Sequence, residues 1–386
     1  MVQKDFWRRQ QSRQTLQLSA SRRRFLQLSS AALSGVVLSN CTRNLSDVSS
    51  SSASSPAASG ASSASGELHV YSWSSYIDEQ LLEDFEKKTG IKVIADIFDS
   101  NETMLAKLQA GGGGAYSIIY PSDYMVEQMI ELDLLSEIDK SRVPGLADLY
   151  PQWQSPPYDS ANKYSIPFSW GTTGLVYNTE ILGEVTDWDY LWDNMDKLER
   201  KLTLLNDVRE VMGMALKSLG YSNSTTKPEE IEAAYNKLAE LKPALNSFTT
   251  DAWKDQLLVG DLLMAHAYSV DGIDVVSANP ALKYIVPASG ATVWTDTIVI
   301  PKTAPNVEAA YAWIDYMSGP STSAEVLSRM KIATPNKKTV ELFPTELKDD
   351  KAMFPPDAVL EKCEALGNVG EAIDLYDRYR TQLNSG

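Results

Sequence analysis

The chain of 386 residues has only two cysteines and two histidines. Cys41 and Cys363 offer no disulfide framework. The histidines, His69 and His266, each lie in an apolar, strand-like run, so Cys363 has no evident base for thiol catalysis and zinc has too few ligands. We therefore expect a buried structural role for Cys363, no metal site and no cofactor.

Signatures of the common enzyme classes are absent too. The sequence has no Gly-x-Ser-x-Gly elbow, no loop of the form Gly-x-x-x-x-Gly-Lys-Ser/Thr and no His-Glu-x-x-His pair. The four glycines at 111–114 lack the lysine of a phosphate loop and follow a predicted helix instead of a strand. Because carboxylate pairs also occur in glycosidases, an anchored hydrolase is the remaining enzymatic alternative. Otherwise we expect a protein that is not an enzyme.

Positive charge is scarce outside the N-terminus. The whole chain has 35 basic and 51 acidic residues. Residues 1–40 contain seven of the basic residues and one of the acidic ones, so the remainder holds 28 against 50, a net charge of −22. Such a surface repels nucleic acid and anionic lipid headgroups, and it attracts cations to any cleft that it lines. We expect no nucleic-acid partner.

The segment 1–40 has the pattern of an export signal. Arginines precede an apolar, serine-rich run that is too short to span a bilayer. The paired arginines before Phe25-Leu26 resemble a twin-arginine signal, and Leu38-Ser39-Asn40-Cys41 resembles the lipobox of bacterial lipoproteins, except that Asn40 replaces the usual Gly or Ala. We expect a bacterial periplasmic protein whose only membrane contact is a lipid on Cys41. The alternative is a cleaved signal with an incidental cysteine.

The part of the chain after the signal, about 345 residues, is long enough for two domains of ordinary size. Residues 41–66 are rich in serine and alanine, cannot form a core, and predict a flexible tether. From residue 67 the pattern alternates strands and helices, which is typical of an α/β unit with a mainly parallel sheet. Residues 170–174, flexible in composition and flanked by strand-like residues, look like a crossing between two lobes.

Polar and aromatic residues follow the predicted strands at their carboxyl ends, where such sheets bind ligands. Together with several other segments they match a known family. The matching segments are residues 70–76, 100–108, 164–171, 206–211, 294–296 and 334–336. In these segments, and over nearly the whole body from Leu68 onwards, the chain resembles the polyamine-binding proteins of ABC importers, the spermidine/putrescine periplasmic binding family.

The resemblance implies an α/β, two-lobed periplasmic-binding-protein fold of type II-like organisation. Each lobe has a central, mainly parallel sheet flanked by helices, and the ligand cleft lies between the lobes. Lobe 1 is expected at residues 67–173 plus 295–336, and lobe 2 at 174–294 plus 337–386. A monomer would close around a linear polyamine and deliver it to the membrane subunits of an ABC permease.

The resemblance also implies the ligand-binding residues. Those carried over by matching position are Trp73, Tyr76, Ser122, Tyr124, Asp207, Glu210, Tyr268, Asp271, Trp294 and Asp296, with Ser74 and Ser75 as additional candidates. Aromatic rings suit the methylenes and ammoniums of a polyamine, and carboxylates suit its ammoniums. The same residues have plainer interpretations as core aromatics, as acids that favour a helix N-terminus, or, for Asp271, as a turn residue.

Several positions depart from the spermidine-type pattern. Ser75 replaces an acid, Tyr268 replaces a Trp, and Ile332 and Leu366 lie near positions that carry a Tyr and a Gln. Putrescine-type members have an aspartate at the position of Asp271. This shift of one acid would move the second cation-binding point and could shorten the site. We therefore favour a diamine such as putrescine, followed closely by spermidine.

Receptors of the same fold for other solutes are the alternatives. His266 near Tyr268 could suggest a metal such as iron, although a buried histidine with satisfied hydrogen bonds is the expectation. An amino acid or 4-aminobutyrate would need a cation for its carboxylate. Arg209 is the only arginine in the constellation, and its helical spacing predicts that it points away from Asp207 and Glu210.

Overall fold

The computed structural model describes residues 66–385. The predicted signal segment, the lipidation site Cys41 and the tether up to residue 65 lie outside the described residues. Among the helices of the described part, none is both long and apolar enough to cross a membrane.

Residues 66–385 contain nine strands and sixteen α-helices. The strands are β1 (Glu67–Ser72), β2 (Lys92–Ile97), β3 (Ile118–Ile119), β4 (Ser165–Asn178), β5 (Leu202–Leu204), β6 (Leu245–Phe248), β7 (Met264–Tyr268), β8 (Leu282–Ile285) and β9 (Val293–Val299). The helices are α1 (Glu79–Thr89), α2 (Asn101–Gln109), α3 (Asp123–Glu131), α4 (Pro151–Gln154), α5 (Thr179–Leu182), α6 (Tyr190–Asp193), α7 (Val208–Ser218), α8 (Pro228–Glu240), α9 (Trp253–Leu258), α10 (Ser269–Ala278), α11 (Val307–Ser318), α12 (Pro320–Met330), α13 (Lys337–Glu341), α14 (Thr345–Lys348), α15 (Asp357–Leu360) and α16 (Ile373–Ser385).

The long strand β4 joins the two halves of the sheet. Strand order is β2-β1-β3-β9-β4-β7-β5-β6, with β8 also paired to β4. Ser165 to Thr172 of β4 pair with β9, whereas Thr173 to Tyr177 pair with β7, and both pairings are antiparallel. The pairs β1–β2, β1–β3, β5–β6 and β5–β7 are parallel. Each half therefore has three parallel strands, as alternating strands and helices predict, and the strands at the junction, β4, β8 and β9, pair in the antiparallel sense.

Two large hydrophobic cores correspond to the two lobes, which confirms the predicted fold class. One core surrounds β1, β3, α11 and α12, and the other surrounds β5, α7, α8 and α16. Phe343 and Met353 pack in the first core, while Tyr376 packs in the second. The exact lobe boundaries remain a proposal, and these contacts favour a return to lobe 2 later than residue 336.

Helix starts place polar residues at the edge of the sheet. Asp78, Ser100 and Asp207 cap α1, α2 and α7, and each side chain accepts a backbone N–H of the first turn. Gly90 ends α1 in the left-handed conformation, with a φ of 74°. The three helices therefore begin at the residue after each cap.

Three local expectations are wrong. Residues 170–174 are the buried middle of β4, not a flexible stretch, because both neighbouring strands pair with them. A Cβ on Gly174 would lie 2.1 Å from the carbonyl oxygen of Ile285, so close strand packing accounts for this glycine. Asp271 is not in a turn, since it lies in the first turn of α10. Cys363 is half-buried instead of buried, with its thiol donating to the carbonyl oxygen of Val359.

Candidate functional site

A cleft lies where the two halves of the sheet meet and has an empty volume of about 570 Å³, including its mouth. All twelve residues proposed from sequence line this cleft. The other lining residues are Phe98, Asn101, Asp123, Thr250, Asp251, Val270 and Leu366. The structure therefore brings the predicted constellation together in space, and its ligand-binding role remains a prediction.

Asp296 on β9 is a cleft carboxylate that hydroxyl groups of other segments hold in place. It accepts hydrogen bonds from the hydroxyls of Tyr76 and Ser122. Ser122 is in turn fixed by Asn101, whose side-chain nitrogen donates to its hydroxyl and whose side-chain oxygen accepts its backbone N–H. Burial raises the pKa of Asp296 to about 6, although both hydroxyl donors oppose the rise. Asp296 is therefore a buried acid whose charge depends on its donors.

The aromatic residues surround Tyr268, the last residue of β7. Its ring centroid lies 6.1 Å from that of Trp73 and 6.0 Å from that of Trp294, and both tryptophans meet it edge to face. Trp73 also packs against Phe98 at 4.4 Å. Because Trp73 and Tyr268 come from different halves of the sheet, the cleft is bounded by rings on both sides.

A second group of acids lies at the start of α7. Asp207 caps the helix through the backbone N–H groups of Arg209 and Glu210, and its other oxygen accepts the hydroxyl of Tyr268. Asp207 therefore both caps its helix and lines the cleft, so the two interpretations of this residue are compatible. Burial, followed by the charge of Asp207, raises the pKa of Glu210 to about 8.

Two buried acids were not among the residues proposed from sequence. Burial raises the pKa values of Asp123 and Glu102 to about 8. Tyr124 lies between Glu102 and the cleft wall, and its hydroxyl donates to Glu102. Glu102 lies in the matching segment 100–108, and Asp123 lies between the proposed residues Ser122 and Tyr124. Both acids follow strand ends, and that position is the signal that could have identified them.

Asp271 is not free to act alone as a counter-charge. Its carboxylate accepts the hydroxyl of Ser75 at 2.7 Å, and the ammonium of Lys254 lies 2.6 Å away. Asp251 is the second partner of that ammonium. The sequence does not identify Asp251 or Lys254, because the strand before them, β6, is short and partly polar and has no clear strand pattern.

Arg209 and His266, which the sequence suggested for other ligands, do not line the cleft. Arg209 is buried, stacks on Tyr124 with its guanidinium carbon 5.5 Å from the ring centroid, and donates to the carbonyl oxygen of Gly367. His266 is fully buried, as expected, but neither ring nitrogen has a hydrogen-bond partner within the described residues, so the expectation of a satisfied histidine is wrong. Burial lowers its pKa to about 3, which keeps the imidazole neutral.

A two-lobed α/β fold with an aromatic and acidic cleft between its lobes defines an extracytoplasmic solute-binding protein. The chain belongs to the family described as bacterial extracellular solute-binding proteins, whose profile matches residues 80–355.

Individual relatives share most of the chain. The spermidine/putrescine-binding periplasmic protein of Salmonella typhimurium is 35% identical over 321 residues, which cover 83% of this chain and 92% of the relative. The putrescine/cadaverine-binding protein of Pseudomonas aeruginosa is 31% identical, with the same two coverages. The solved structure of the spermidine/putrescine ABC transporter substrate-binding protein PotD from Streptococcus pneumoniae is 34% identical, covers 82% of this chain and 98% of its own, and has a TM-score of 0.69. The family resemblance predicted from sequence is thereby confirmed.

Removing the hydroxyl of Tyr76 tests whether its hydrogen bond stabilises the buried Asp296 carboxylate. Tyr76→Phe removes one donor to a buried carboxylate and a contact with Ser169, so we expect the free energy of unfolding to fall by about 1–3 kcal/mol. The pKa of Asp296 should rise further above 6. Urea denaturation and carbon NMR of the carboxyl measure the two effects.

Tyr158→Phe is the matched control, because the hydroxyl of Tyr158 is buried without a hydrogen-bond partner among the described residues. It should leave stability nearly unchanged. Equal losses of stability in the two variants would contradict the proposed support of Asp296.

Proposed function

We propose that this protein captures a linear polyamine between its lobes by hinge closure and delivers it to an ABC permease, with no chemical step on the ligand. The observation that carries the proposal is the composition of the cleft. Six of its nineteen lining residues are Asp or Glu, and none is Lys or Arg. Lys254 pairs with Asp251 and Asp271 only. A ligand must bring positive charge for the other acids, because buried carboxylates without compensation are costly.

The aromatic part of the cleft narrows the ligand class. Trp73, Tyr268 and Trp294 offer ring faces and edges that suit methylene groups, which gain free energy when buried, and ammoniums, which are attracted to ring faces. An amino acid or 4-aminobutyrate would place a carboxylate in a lining of acids, where the neighbouring ammonium of Lys254 is already shared by Asp251 and Asp271. A flexible chain of methylenes that ends in ammoniums satisfies both parts of the site.

Among polyamines we favour a diamine such as putrescine, with spermidine second. Ser75 and Leu366 line the cleft at positions that differ from the spermidine-type pattern, and both lack charge. Ile332 is buried in the same hydrophobic core as Leu366 and is apolar as well. The relatives fit this range, since their names state spermidine, putrescine and cadaverine as ligands.

We further propose that the protein acts as a periplasmic monomer that a lipid on Cys41 attaches to the membrane. Support comes from the lipobox-like Leu38-Ser39-Asn40-Cys41 and the serine-rich tether after it. A lipid and a flexible tether would hold the folded body close to its permease, which raises the local concentration of the loaded form.

Calorimetric titration of the purified full-length chain tests the ligand class. Putrescine and spermidine should bind with saturable heat, whereas 4-aminobutyrate should not. Asp296→Asn should weaken polyamine binding at least tenfold, because a ligand ammonium loses its ionic partner. Asp274→Asn is the control: it removes the same charge from an exposed position of α10 outside the cleft.

Absence of heat with every diamine and polyamine, together with saturable binding of an amino acid or a metal, would refute the polyamine proposal. Equal affinities of Asp296→Asn and Asp274→Asn would refute only the role of Asp296.

The raised pKa values predict proton release on binding. Glu102, Asp123 and Glu210 have pKa values of about 8 without a ligand, so they hold protons near pH 7. A bound ammonium favours the ionised carboxylates, and alkylammoniums with pKa values near 10 stay charged throughout. Affinity should therefore rise between pH 6 and pH 8, by up to roughly tenfold per pH unit for each proton released.

Titrations in buffers of different ionisation enthalpy count the protons. Glu210→Gln should reduce the number released. An affinity and an enthalpy that are independent of pH and buffer would contradict the assignment.

If a lipid on Cys41 attaches the protein to the membrane, removing Cys41 should change where the protein fractionates. The wild-type protein should fractionate with bacterial membranes, and Cys41→Ala should shift it to the soluble extracytoplasmic fraction. Cys363→Ala, which alters the other cysteine, should remain with the membranes. Identical fractionation of the wild type and Cys41→Ala would exclude lipidation at Cys41.

A further inference from the structure

A lysine of the chain itself inserts its ammonium between two carboxylates of the cleft. Nζ of Lys254 lies 2.6 Å from Oδ1 of Asp271 and 2.9 Å from Oδ1 of Asp251. Both acids line the cleft. Only 24% of the lysine side chain remains exposed, against 42% for Asp251 and 7% for Asp271. The ion pair is therefore built into the wall of the site and is not a mobile surface contact.

The opposite half of the sheet completes this arrangement. The hydroxyl of Ser74 donates to Oδ1 of Asp251, and that of Ser75 donates to Oδ1 of Asp271, both at 2.7 Å. The two serines belong to the 3-10 helix Ser74–Tyr76 after β1, whereas the acids and the lysine belong to the region around α9 and α10. The ammonium thus lies where the two lobes meet.

Local sequence explains the position of the ammonium. Asp251 lies two residues before α9 and Lys254 lies in its first turn, and their side chains meet at the start of the helix. Helices α9 and α10 pack together, which brings Asp271 of the first turn of α10 to the same point. One cation is in this way shared by two acids.

The charge states follow from this geometry. Desolvation opposes the ammonium, yet Asp271 and Asp251 hold the pKa of Lys254 above its ordinary value. Burial acts against ionisation of Asp251, but Lys254 lowers its pKa below the ordinary value. Burial raises the pKa of Asp271 even beside the ammonium. Little uncompensated negative charge therefore remains near Asp251 and Asp271 for a ligand ammonium.

We propose that Lys254 is a resident ammonium which occupies one cation position of the cleft and thereby selects diamines over triamines. This inference rests on the proposed polyamine function and adds its specificity determinant. A diamine places its two ammoniums against Asp296 and the acids of α7 and leaves the Asp251–Asp271 pair to the lysine. A third ammonium would have to displace a tethered cation that already has both carboxylates as partners.

Two variants of Lys254 separate charge from packing. Lys254→Met keeps an unbranched side chain that is one heavy atom shorter and removes the cation, whereas Lys254→Arg keeps the cation. Both are titrated as full-length proteins with putrescine and with spermidine at one pH and one salt concentration. We expect Lys254→Met to raise the ratio of spermidine affinity to putrescine affinity at least tenfold, and Lys254→Arg to leave it within threefold of the wild type.

The ratio of spermidine affinity to putrescine affinity distinguishes a role in specificity from a purely structural role. A purely structural role would weaken both ligands equally and leave the ratio within twofold of the wild type in Lys254→Met, which would overturn the proposal. If Lys254→Met folds poorly, Lys254→Gln gives the same comparison with a polar, uncharged side chain. A wild-type protein that binds neither amine would refute the polyamine function, whereas binding with an unchanged ratio would refute only the role of Lys254.

Discussion

The organisation of this protein depends on the cost of removing carboxylates from water without cations beside them. The cleft lowers that cost with donors that carry no charge. Asp296 uses hydroxyls, and Asp207 uses the backbone N–H groups at the start of α7. These donors hold Asp296 and Asp207 in place but do not neutralise them, and burial raises the pKa values of three nearby acids, Glu102, Asp123 and Glu210, to about 8. A cationic ligand is the component that favours the ionised forms of these acids.

Two paired strands give the centre of the cleft its geometry. In the register of β4 and β9, Ser169 stands opposite Asp296 and Gly171 stands opposite Trp294. Ser169 contacts the hydroxyl of Tyr76, which donates to Asp296. A Cβ on Gly171 would lie only 2.4 Å from the Trp294 ring, so a glycine is needed for the ring to lie over the strand. Because β4 passes from one half of the sheet to the other, the same strand that connects the lobes also positions the acid and the ring.

Sequence reasoning was sufficient where function depends on local rules. Helix caps and strand ends were visible as short-range patterns, so residues such as Asp207 could be placed at the mouth of the cleft before the fold was known. It was insufficient where long-range packing decides. Strand β6 is short and partly polar, and α10 begins with residues that also suit a turn, so tertiary contacts determine both. Asp251 is near Lys254 in sequence, but helix packing brings in Asp271, so the sequence does not show that the two acids share one ammonium.

Relative to the spermidine-type pattern, this chain has a serine in place of an acid at position 75 and an acid, Asp271, in the other lobe. The contacts of these two residues show what this difference does to the site. The acid expected at position 75 is a serine here, and its hydroxyl reaches Asp271 at 2.7 Å. A longer acidic side chain at position 75 would extend into the region that Asp271 already occupies, so moving the acid to the other lobe leaves the negative charge in nearly the same place. The exchange alone therefore does not shorten the site. The lysine shortens the site. Because Asp271 belongs to α10, the ammonium of Lys254 on the neighbouring helix α9 can reach it without crossing the cleft. The serine replacement and the resident cation are then two parts of one arrangement, in which the chain provides one positive charge and the ligand provides the others.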